Sequence, residues 1–363
     1  MRVALVTYST RPRGGVVHTL NLAEALARAG ARVTVHSLAR DGDPGFFRPV
    51  DPSVEVRLIP FAARDGESVA DRIVRSIAAL ADGVDHAGFD IVHAQDCISA
   101  NAVGTCIRTV HHLDTFTTPV LVRCHEKAIV DPYAHICVSA AVAAEVTAGW
   151  GITPTVIPNG VDALRFSTAA GDDPTAVTAR QAWRHRLGRF VLAVGGIEPR
   201  KGSIDLLEAW ARMRRRHPDV DLVVAGGETL FDYRDYRAAH DRRADELDAH
   251  PTVLGPVAEA DLPSLVAACD VFAFPSVKEG FGLAAMEALA AGRPVVTRDL
   301  PVLREVFGDT VSYAADVDAL AAAMSTTLDT AHDAASGRRL AESLTWDAAA
   351  QAHLEFYERN PLP

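Results

Sequence analysis

Short apolar runs alternate along the chain with segments whose apolar residues recur at helical spacing. The first run, Val3–Val6, is typical of a buried strand. It is followed by Val17, Leu20 and Leu26 on one helical face, and Gly30 is placed to end that helix. Further strands are predicted near Val33–Ser37, Val54–Phe61, Ile91–Ala94, Arg108–His111, Ile136–Ser139 and Thr155–Ile157. Such alternation predicts a parallel sheet covered by helices on both faces.

The alternation is interrupted after Pro158–Asp162 and then begins again. Later strands are predicted at Phe190–Val194, Asp221–Ala225, Val253–Leu254, Val271–Phe274, Pro294–Thr297 and Thr310–Tyr313. The fold class is therefore α/β with two doubly wound, Rossmann-like domains, residues 1–165 and 183–344. Residues 166–182 show no clear period and predict a linker or surface loop, and a final helix is expected in residues 345–363. Two such domains imply a cleft between them, because ligands bind at the carboxyl ends of the strands.

Composition narrows the class of protein. The 363 residues carry a net charge of −11, which argues against a nucleic-acid partner. Five cysteines without a CxxC pair favour a reducing cytoplasm over a disulfide-stabilised secreted protein. Arg2–Thr7 already have the pattern of a strand, so no signal peptide is expected before the fold. No apolar stretch is long enough to span a membrane, although peripheral membrane contact stays open.

Two glutamates eight residues apart, Glu279 and Glu287, flank a glycine-rich turn in the sequence EGFGLAAMEALAAGRPVV. Gly280 and Gly282 allow a close approach of backbone to a ligand. The N–H groups that open the following helix suit a phosphate or a set of hydroxyls. Eight residues of helix span ~12 Å, too far for two carboxylates to share a proton or a metal ion. The pair is therefore predicted to hold two parts of one elongated ligand.

Two further glycine-rich turns follow predicted strands. Gly14 and Gly15 follow the first strand, where either a ligand-binding turn or an ordinary tight turn fits the sequence. In the second domain the run GGIEPRKG places Arg200 and Lys201 together before a helix. Two adjacent cations there are suited to a diphosphate, and we favour an anion site over a solvated turn.

Histidines end one strand of the first domain. His111 and His112 are followed by Asp114, and a neutral imidazole there can hydrogen-bond a sugar hydroxyl. A metal site with His93, His125 and Cys97 is an alternative, but no metal-ligand spacing is met, so no metal is expected.

These motifs together resemble the family 4 retaining glycosyltransferases, which have the two-domain GT-B fold. The resemblance covers nearly the whole chain, and its most specific parts are the Glu-x7-Glu motif with EGFGL and the IPNGVD that precedes the second domain. DIVHAQD, TVHHLD, CVSAAVAAEV, PRKG, VAGG and WDAAAQAHLEFYER also match. The resemblance implies transfer of a sugar from a nucleotide diphosphate sugar with retention, without metal or other cofactor. The acceptor, a carbohydrate, a lipid or a small molecule, is left open.

The resemblance also implies roles for individual residues. Glu287 would hold the ribose, Glu279 the donor sugar, and Arg200 with Lys201 the leaving diphosphate. The remaining donor contacts would come from Gly14, Gly15, Gly280, Phe281, Gly282 and Leu283. His111 would lie beside the transferred sugar, with His18, His112 and Asp114 on the acceptor side, together with loops at residues 41–50 and 62–68. The last helix would cross back to the first domain.

One departure from the family pattern affects the phosphate site. Many members carry an arginine where this chain has Gly196, and some instead place an arginine directly before the lysine, as Arg200 stands here. Whether Arg200 supplies that phosphate ligand from a shifted position is left open by the sequence.

Two alternatives to a transferase use the same fold. A nucleotide-sugar 2-epimerase would need no acceptor but normally shows additional acid and base carboxylates. A nucleotide-sugar binding protein would not require the combined set of Lys201, Glu279, Glu287 and His111. The transferase interpretation is chemically coherent, because glycosyl transfer passes through an oxocarbenium-like state and depends on stabilising the leaving group.

Overall fold

Two compact units make up the chain. The structure is a computed structural model that describes residues 1–40, 42–227 and 233–363. One unit comprises Met1–Gly160 and Trp346–Pro363, and is called the N unit below. The other, the C unit, comprises Val161–Thr345. Asp41, the first residue of one expected acceptor loop, lies outside the described residues.

The N unit is built on a parallel seven-stranded sheet in the order β3-β2-β1-β4-β5-β6-β7. Its strands are β1 (Arg2–Val6), β2 (Arg32–Arg40), β3 (Glu55–Phe61), β4 (Ile91–Ala94), β5 (Ile107–Val110), β6 (Ala134–Cys137) and β7 (Thr155–Val156). Its first helices are α1 (Gly14–Arg28), α2 (Val69–Gly83), α3 (Cys97–Val103), α4 (Pro119–Val130) and α5 (Ala140–Trp150). The central strands β1, β4, β5 and β6 are buried almost throughout, which explains their uninterrupted apolar sequence.

The C unit repeats this plan with a parallel six-stranded sheet in the order β10-β9-β8-β11-β12-β13. Its strands are β8 (Arg189–Val194), β9 (Val220–Ala225), β10 (Thr252–Gly255), β11 (Val271–Phe274), β12 (Val295–Arg298) and β13 (Ser312–Ala314). Its helices are α6 (Ala163–Ala169), α7 (Pro174–Leu187), α8 (Ser203–Met213), α9 (Arg234–Leu247), α10 (Leu262–Ala268), α11 (Leu283–Ala290), α12 (Pro301–Phe307), α13 (Val317–Asp329) and α14 (Ala334–Ser343). Its core includes the fully buried Trp210, packed among apolar residues of α8, β9 and α13.

The segment expected to be a linker, residues 166–182, is helical instead. It falls in α6 and α7, which both belong to the C unit. Asp162 and Asp173 accept hydrogen bonds from the first N–H groups of these helices, and Pro174 begins α7. No residue of α7 is fully buried, but the helix packs against α10, where Trp183 Nε1 donates to the Ser264 hydroxyl at 3.0 Å. The sequence showed no clear period because a helix with only a half-buried face needs few apolar residues.

The last helix, α15 (Trp346–Arg359), belongs to the N unit although it ends the chain. It lies against α1, where Arg28 pairs with Asp347 at 2.6 Å. Its buried Tyr357 hydroxyl lies 2.8 Å from Nδ1 of His93, on β4.

Each sheet changes winding direction between two neighbouring strands, β1 and β4 in the N unit and β8 and β11 in the C unit. Ligands of doubly wound sheets bind at the carboxyl ends of such strands. No helix among the described residues has both the length and the apolar character needed to cross a bilayer.

Candidate active site

The loop after β8 in the C unit has a shape that only glycine permits. A Cβ on Gly226 would lie 2.2 Å from the carbonyl carbon of Gly195, so the loops after β9 and β8 are in direct contact. Pro199–Lys201 form a 3₁₀ turn that ends at Gly202, with φ +63°. A Cβ on Gly202 would lie 2.4 Å from the Pro275 carbonyl oxygen. This close packing places Arg200 and Lys201 at the switch point between β8 and β11.

Arg200 and Lys201 share one carboxylate oxygen. Arg200 Nη1 lies 2.9 Å and Lys201 Nζ 2.6 Å from Oε1 of Glu279. The loops are also tied by a backbone bond, since the Val277 N–H donates to the Arg200 carbonyl at 2.9 Å. One carboxylate cannot neutralise two cations, so these three groups carry a net charge of +1. The cluster is therefore suited to an additional anionic ligand.

The glycine-rich turn after Glu279 leads directly into α11. Gly282 is the N-cap residue, with φ +95°, and a Cβ there would lie 2.9 Å from the ring of Phe307. Gly280 and Phe281 are buried, and Leu283 begins the helix half-buried. The first N–H groups of a helix have no partner within it, so this turn presents donors at the same edge of the sheet.

Glu287, in the second turn of α11, is a half-buried carboxyl group. Burial, and secondly the negative charge of Glu259, raise its pKa to about 8, while Arg165 acts in the opposite direction. Its carboxyl group has no hydrogen-bond or ion-pair partner in the part of the chain that the structure describes. A carboxyl group so placed is suited to accept hydrogen bonds from a ligand.

Sequence reasoning missed the ion pair that lies next to Glu287. Arg165, on α6, donates to the carboxylate and to the carbonyl oxygen of Glu259. Glu259 lies in the loop before α10, and nothing in its local sequence marks it. Only the position of Arg165, three residues after the last residue of the IPNGVD motif, offers a signal.

In the N unit, the glycine pair predicted to form a loop forms the first turn of α1. Arg13 is the N-cap residue of the helix, so Gly14 and Gly15 carry N–H groups at its start. A Cβ on Gly15 would lie 3.5 Å from Cδ2 of His111. The start of α1 and the imidazole of His111 therefore lie side by side at the carboxyl edge of the sheet.

His111 directly follows β5 and is held neutral. Burial and then the charge of Arg108 lower its pKa well below the ordinary value of histidine. Its Nε2 is buried and has no hydrogen-bond partner among the described residues. A neutral imidazole with an open nitrogen can donate to or accept from a hydroxyl.

His18 does not reach the surface where an acceptor would bind. Its side chain is 1% exposed, and its ring packs edge-on to His111 with centroids 4.7 Å apart. Its Nδ1 lies 2.8 Å from Oδ1 of Asn159, an acceptor, so Nδ1 carries the proton. The sequence left His18 as either a packing residue or a contact at the rim of the acceptor side, and its burial is that of a packing residue. The helical face that carries His18 also carries the core residues of α1, and burial follows from that position.

The other two predicted acceptor-side residues lie at the surface together. His112 Nε2 is 3.3 Å from Oδ1 of Asp114, and both side chains are about one-third exposed. The residues considered for a metal site are engaged elsewhere: His93 bonds Tyr357 and Thr109, and the Cys97 thiol donates to the Cys124 carbonyl. Among residues 1–40, 42–227 and 233–363, no group of three or more potential ligands is placed to hold a metal ion.

Comparison with known proteins defines the class. The model of the family described as glycosyl transferases group 1 matches residues 188–330, and that of glycosyltransferase family 4 matches residues 12–165. The doubly wound units and these matches define a glycosyltransferase with the GT-B fold. The chain belongs to the family 4, group 1 glycosyltransferases.

Curated relatives and solved structures agree with this family and fold. A phosphatidyl-myo-inositol mannosyltransferase of Mycolicibacterium smegmatis is 30% identical over 85% of this chain and 79% of its own length. A glycogen synthase of Mycobacterium tuberculosis is 30% identical over 100% of this chain and 97% of its own. Sucrose-phosphate synthase from Thermosynechococcus elongatus superposes with a TM-score of 0.79, at 20% identity over 99% of this chain and 98% of that chain. HepE from Anabaena, in complex with UDP and glucose, superposes with a TM-score of 0.74, at 20% identity over 98% of this chain and 99% of that chain.

Proposed function

We propose that this glycosyltransferase moves a sugar from a nucleotide diphosphate sugar to an acceptor hydroxyl with retention of the anomeric configuration. The observation that carries the proposal is the cluster of Arg200, Lys201 and Glu279 at the switch point of the C unit. Its net positive charge suits the diphosphate that leaves when the glycosidic bond of the donor breaks. No metal or other cofactor is part of the proposal.

Stabilisation of the leaving group is the main task of this site. Negative charge develops on the diphosphate oxygen as the donor sugar departs as an oxocarbenium-like species. Arg200 supplies a planar fork of donors and Lys201 a compact charge, and both are held in place before the reaction by Glu279. Cations fixed in advance stabilise the transition state without reorganisation. Arg200 thus takes the role of the arginine that many family members have where this chain has Gly196.

Glu287 is proposed to bind the ribose of the donor. Its carboxyl group is half-buried and without a partner among the described residues, and two ribose hydroxyls would supply the donors that it lacks. Such donors stabilise the ionised form, so binding would lower the raised pKa of Glu287. The turn at Gly280, Phe281, Gly282 and Leu283 is proposed to position the sugar and phosphate.

The N unit is proposed to contribute His111 to the reaction. Its imidazole is held neutral by burial, so it acts through hydrogen bonds rather than as a fixed charge. The N–H groups of Gly14 and Gly15, which face His111, are proposed to meet the phosphate of the donor. His112 and Asp114 are proposed to lie on the acceptor side.

The names of relatives suggest an acceptor class. They include phosphatidyl-myo-inositol mannosyltransferases and a D-inositol 3-phosphate glycosyltransferase from Xylanimonas cellulosilytica, 28% identical over 98% of this chain. Both names contain a phosphorylated cyclitol. We therefore propose an acceptor with hydroxyls next to a phosphate, used in the cytoplasm, where the five free cysteines stay reduced.

The proposal is tested by incubating the purified protein with UDP-, GDP- and ADP-sugars, with and without inositol phosphate. Release of nucleoside diphosphate that requires acceptor supports transfer. Conversion of the donor sugar without acceptor would instead indicate an epimerase, and binding without turnover a sensor. Isothermal titration with UDP, GDP and ADP identifies the nucleotide independently of turnover.

A further inference from the structure

Arginines gather at the carboxyl edge of the N-unit sheet, although the chain as a whole carries a net charge of −11. Arg40 is the last residue of β2, and Arg13 is the N-cap residue of α1. Tyr8 lies just beyond the end of β1, between these two positions in the fold. All three therefore lie at the edge where doubly wound sheets bind ligands.

The ring of Tyr8 brings the two guanidinium groups together. The Cζ atoms of Arg13 and Arg40 lie 5.8 Å and 5.9 Å from its centroid. Arg40 is also 5.8 Å from the ring of Phe61, the residue that pairs with it across β2 and β3. Aromatic rings that hold a guanidinium by cation–π contact fix its direction without neutralising it.

These guanidinium groups are partly buried without an acceptor. Nε of Arg13, and Nε and Nη2 of Arg40, are buried and have no hydrogen-bond partner among residues 1–40, 42–227 and 233–363. Burial lowers the pKa of Arg40, and apart from Tyr8 the largest charge effects on it come from Arg72, Arg13 and Arg11. Arg40 therefore lies in a field of like charge and keeps its own charge.

Nearby arginines that stabilise the fold look different. The Cζ atom of Arg75 lies 3.9 Å from the centroid of the Phe61 ring, but Glu67 binds this arginine through two oxygens at 2.7 Å each. Arg48 is bound in the same way by Glu24, at 2.6 and 3.0 Å. The unpaired donors of Arg13 and Arg40 are therefore a local feature and not a general property of arginines in this unit.

The carboxylates at this edge already accept hydrogen bonds from other groups. Asp96 accepts from the N–H groups of Ser99 and Tyr8, at 2.8 and 3.0 Å. Asp43 accepts from the Thr10 hydroxyl at 2.8 Å. Asp114, whose charge also acts on Tyr8, lies next to His112. A bound anion would supply the acceptors that the buried nitrogens of Arg13 and Arg40 lack among the described residues.

We propose that Arg13 and Arg40, held by Tyr8, form a phosphate subsite that binds the phosphate of the acceptor. The inference rests on the proposed function and deepens it, because it states which residues recognise a phosphorylated acceptor. Two forked guanidinium groups match the geometry and the double charge of a phosphate better than the single charge of a carboxylate. Arg13 precedes Gly14 and Gly15 at the start of α1, and Gly15 lies next to His111, so the subsite and the predicted acceptor residues lie at the same edge of the sheet.

A direct binding measurement tests the subsite without requiring turnover. Isothermal titration of the full-length protein with myo-inositol 1-phosphate is compared with titration with myo-inositol. We expect the phosphorylated compound to bind at least tenfold more tightly. Arg40→Ala should weaken its binding by about tenfold, which corresponds to about 1.4 kcal/mol. The affinity of Arg40→Lys for myo-inositol 1-phosphate should lie between those of the wild type and Arg40→Ala, because lysine keeps the charge but lacks the forked donors of arginine. Arg75→Ala is the matched control, because Arg75 also contacts the Phe61 ring, and it should change the affinity for myo-inositol 1-phosphate less than twofold.

A second arm distinguishes the source of the phosphate. Co-sedimentation with phosphatidylcholine vesicles that contain phosphatidylinositol is compared with phosphatidylcholine vesicles alone, for the wild type and Arg40→Ala. Arg40-dependent binding only to the inositol lipid indicates a lipid headgroup, and Arg40-dependent binding only to the soluble phosphate indicates a free cyclitol phosphate. Either result supports the subsite.

Other outcomes overturn the inference. Equal affinity for phosphorylated and unphosphorylated compounds would show that no phosphate subsite exists. An equal loss for Arg40→Ala and Arg75→Ala would indicate a structural effect. If Arg40→Ala weakened the binding of UDP and GDP as strongly as the binding of inositol phosphate, the guanidinium would belong to the donor site. Failure to bind any nucleoside diphosphate would contradict the proposed function while leaving the phosphate titration interpretable.

Discussion

Replacement of Glu287 by glutamine should stabilise the protein at neutral pH. The pKa of Glu287 rises from its ordinary 4.5 to about 8 in the folded protein, first because of burial. At about 1.36 kcal/mol per pKa unit, this rise corresponds to a destabilisation of about 5 kcal/mol once the group is ionised. The folded state binds the proton more tightly than the unfolded state between pH 4.5 and 8. The contribution of Glu287 to stability therefore falls as pH rises through this window, and is constant above it.

Glutamine has nearly the same shape and cannot ionise, so the stability difference between variant and wild type isolates this one group. We expect a difference near zero at pH 4.5, about 3 kcal/mol in favour of the variant at pH 7, and about 5 kcal/mol above pH 8. For a unit of this size, 3 kcal/mol is a rise in Tm of about 10 °C. The same variant should lose nucleotide affinity, because an amide binds hydroxyl donors less well than a carboxylate.

The assay is urea unfolding of the ligand-free protein at pH 4.5 to 9, supported by thermal melts. Glu358→Gln, at an exposed glutamate of α15, is the control for the substitution itself and should change stability by less than about 0.5 kcal/mol. A stability difference for Glu287→Gln that does not change with pH would refute the reasoning, because the carboxyl group would then not be perturbed by folding.

Three further predictions follow from particular contacts. Lys201→Ala should lower kcat/KM for transfer by about 10²–10³ without changing the melting curve. Lys127→Ala, at an exposed lysine of the N unit, is the control and should leave kcat/KM unchanged. Equal losses of kcat/KM in the two variants would show that Lys201 is not part of the site. Gly202→Ala should lower Tm markedly, because the added Cβ would lie 2.4 Å from the Pro275 carbonyl oxygen. Gly149→Ala is the control and should leave Tm unchanged, because its Cβ would have no neighbour within 4 Å. Similar Tm values for the two variants would contradict the packing around Gly202. Burial lowers the pKa of His18, His93, His111 and His353, so the N unit should lose stability as pH falls below the unfolded value of about 6.5. Hydrogen exchange of α1 and α15 at pH 7 and 5 measures this loss, and unchanged exchange would count against it.

The sequence predicted the strands well because buried parallel strands are continuous apolar runs, such as Ile91–Ala94 and Val271–Phe274. It did not predict α7, whose residues are all at least partly exposed. Helical periodicity reports a buried face, and a helix that is only half-buried, with an aspartate cap and a proline at its start, shows that period weakly.

The candidate site was predictable where chemistry is local in sequence and not where it depends on contacts across the unit. Arg200 and Lys201 are adjacent, and glycines mark their loop. Their common partner Glu279, however, lies more than 70 residues further along the chain. The burial of His18 depends on Asn159, His111 and α15, which meet only in the folded N unit. That Nε and Nη2 of Arg40 have no partner among the described residues likewise depends on contacts that form only in the folded unit.

Nuclear magnetic resonance of the transfer reaction itself tests the central claim most directly. The purified protein is mixed with the nucleotide sugar that its nucleotide preference selects and with myo-inositol 1-phosphate, and the anomeric proton of the first product formed is observed. We predict stoichiometric release of nucleoside diphosphate and a product with the anomeric configuration of the donor, both abolished by Lys201→Ala. An inverted product, or release of nucleoside diphosphate that Lys201→Ala leaves unchanged, would contradict the proposal.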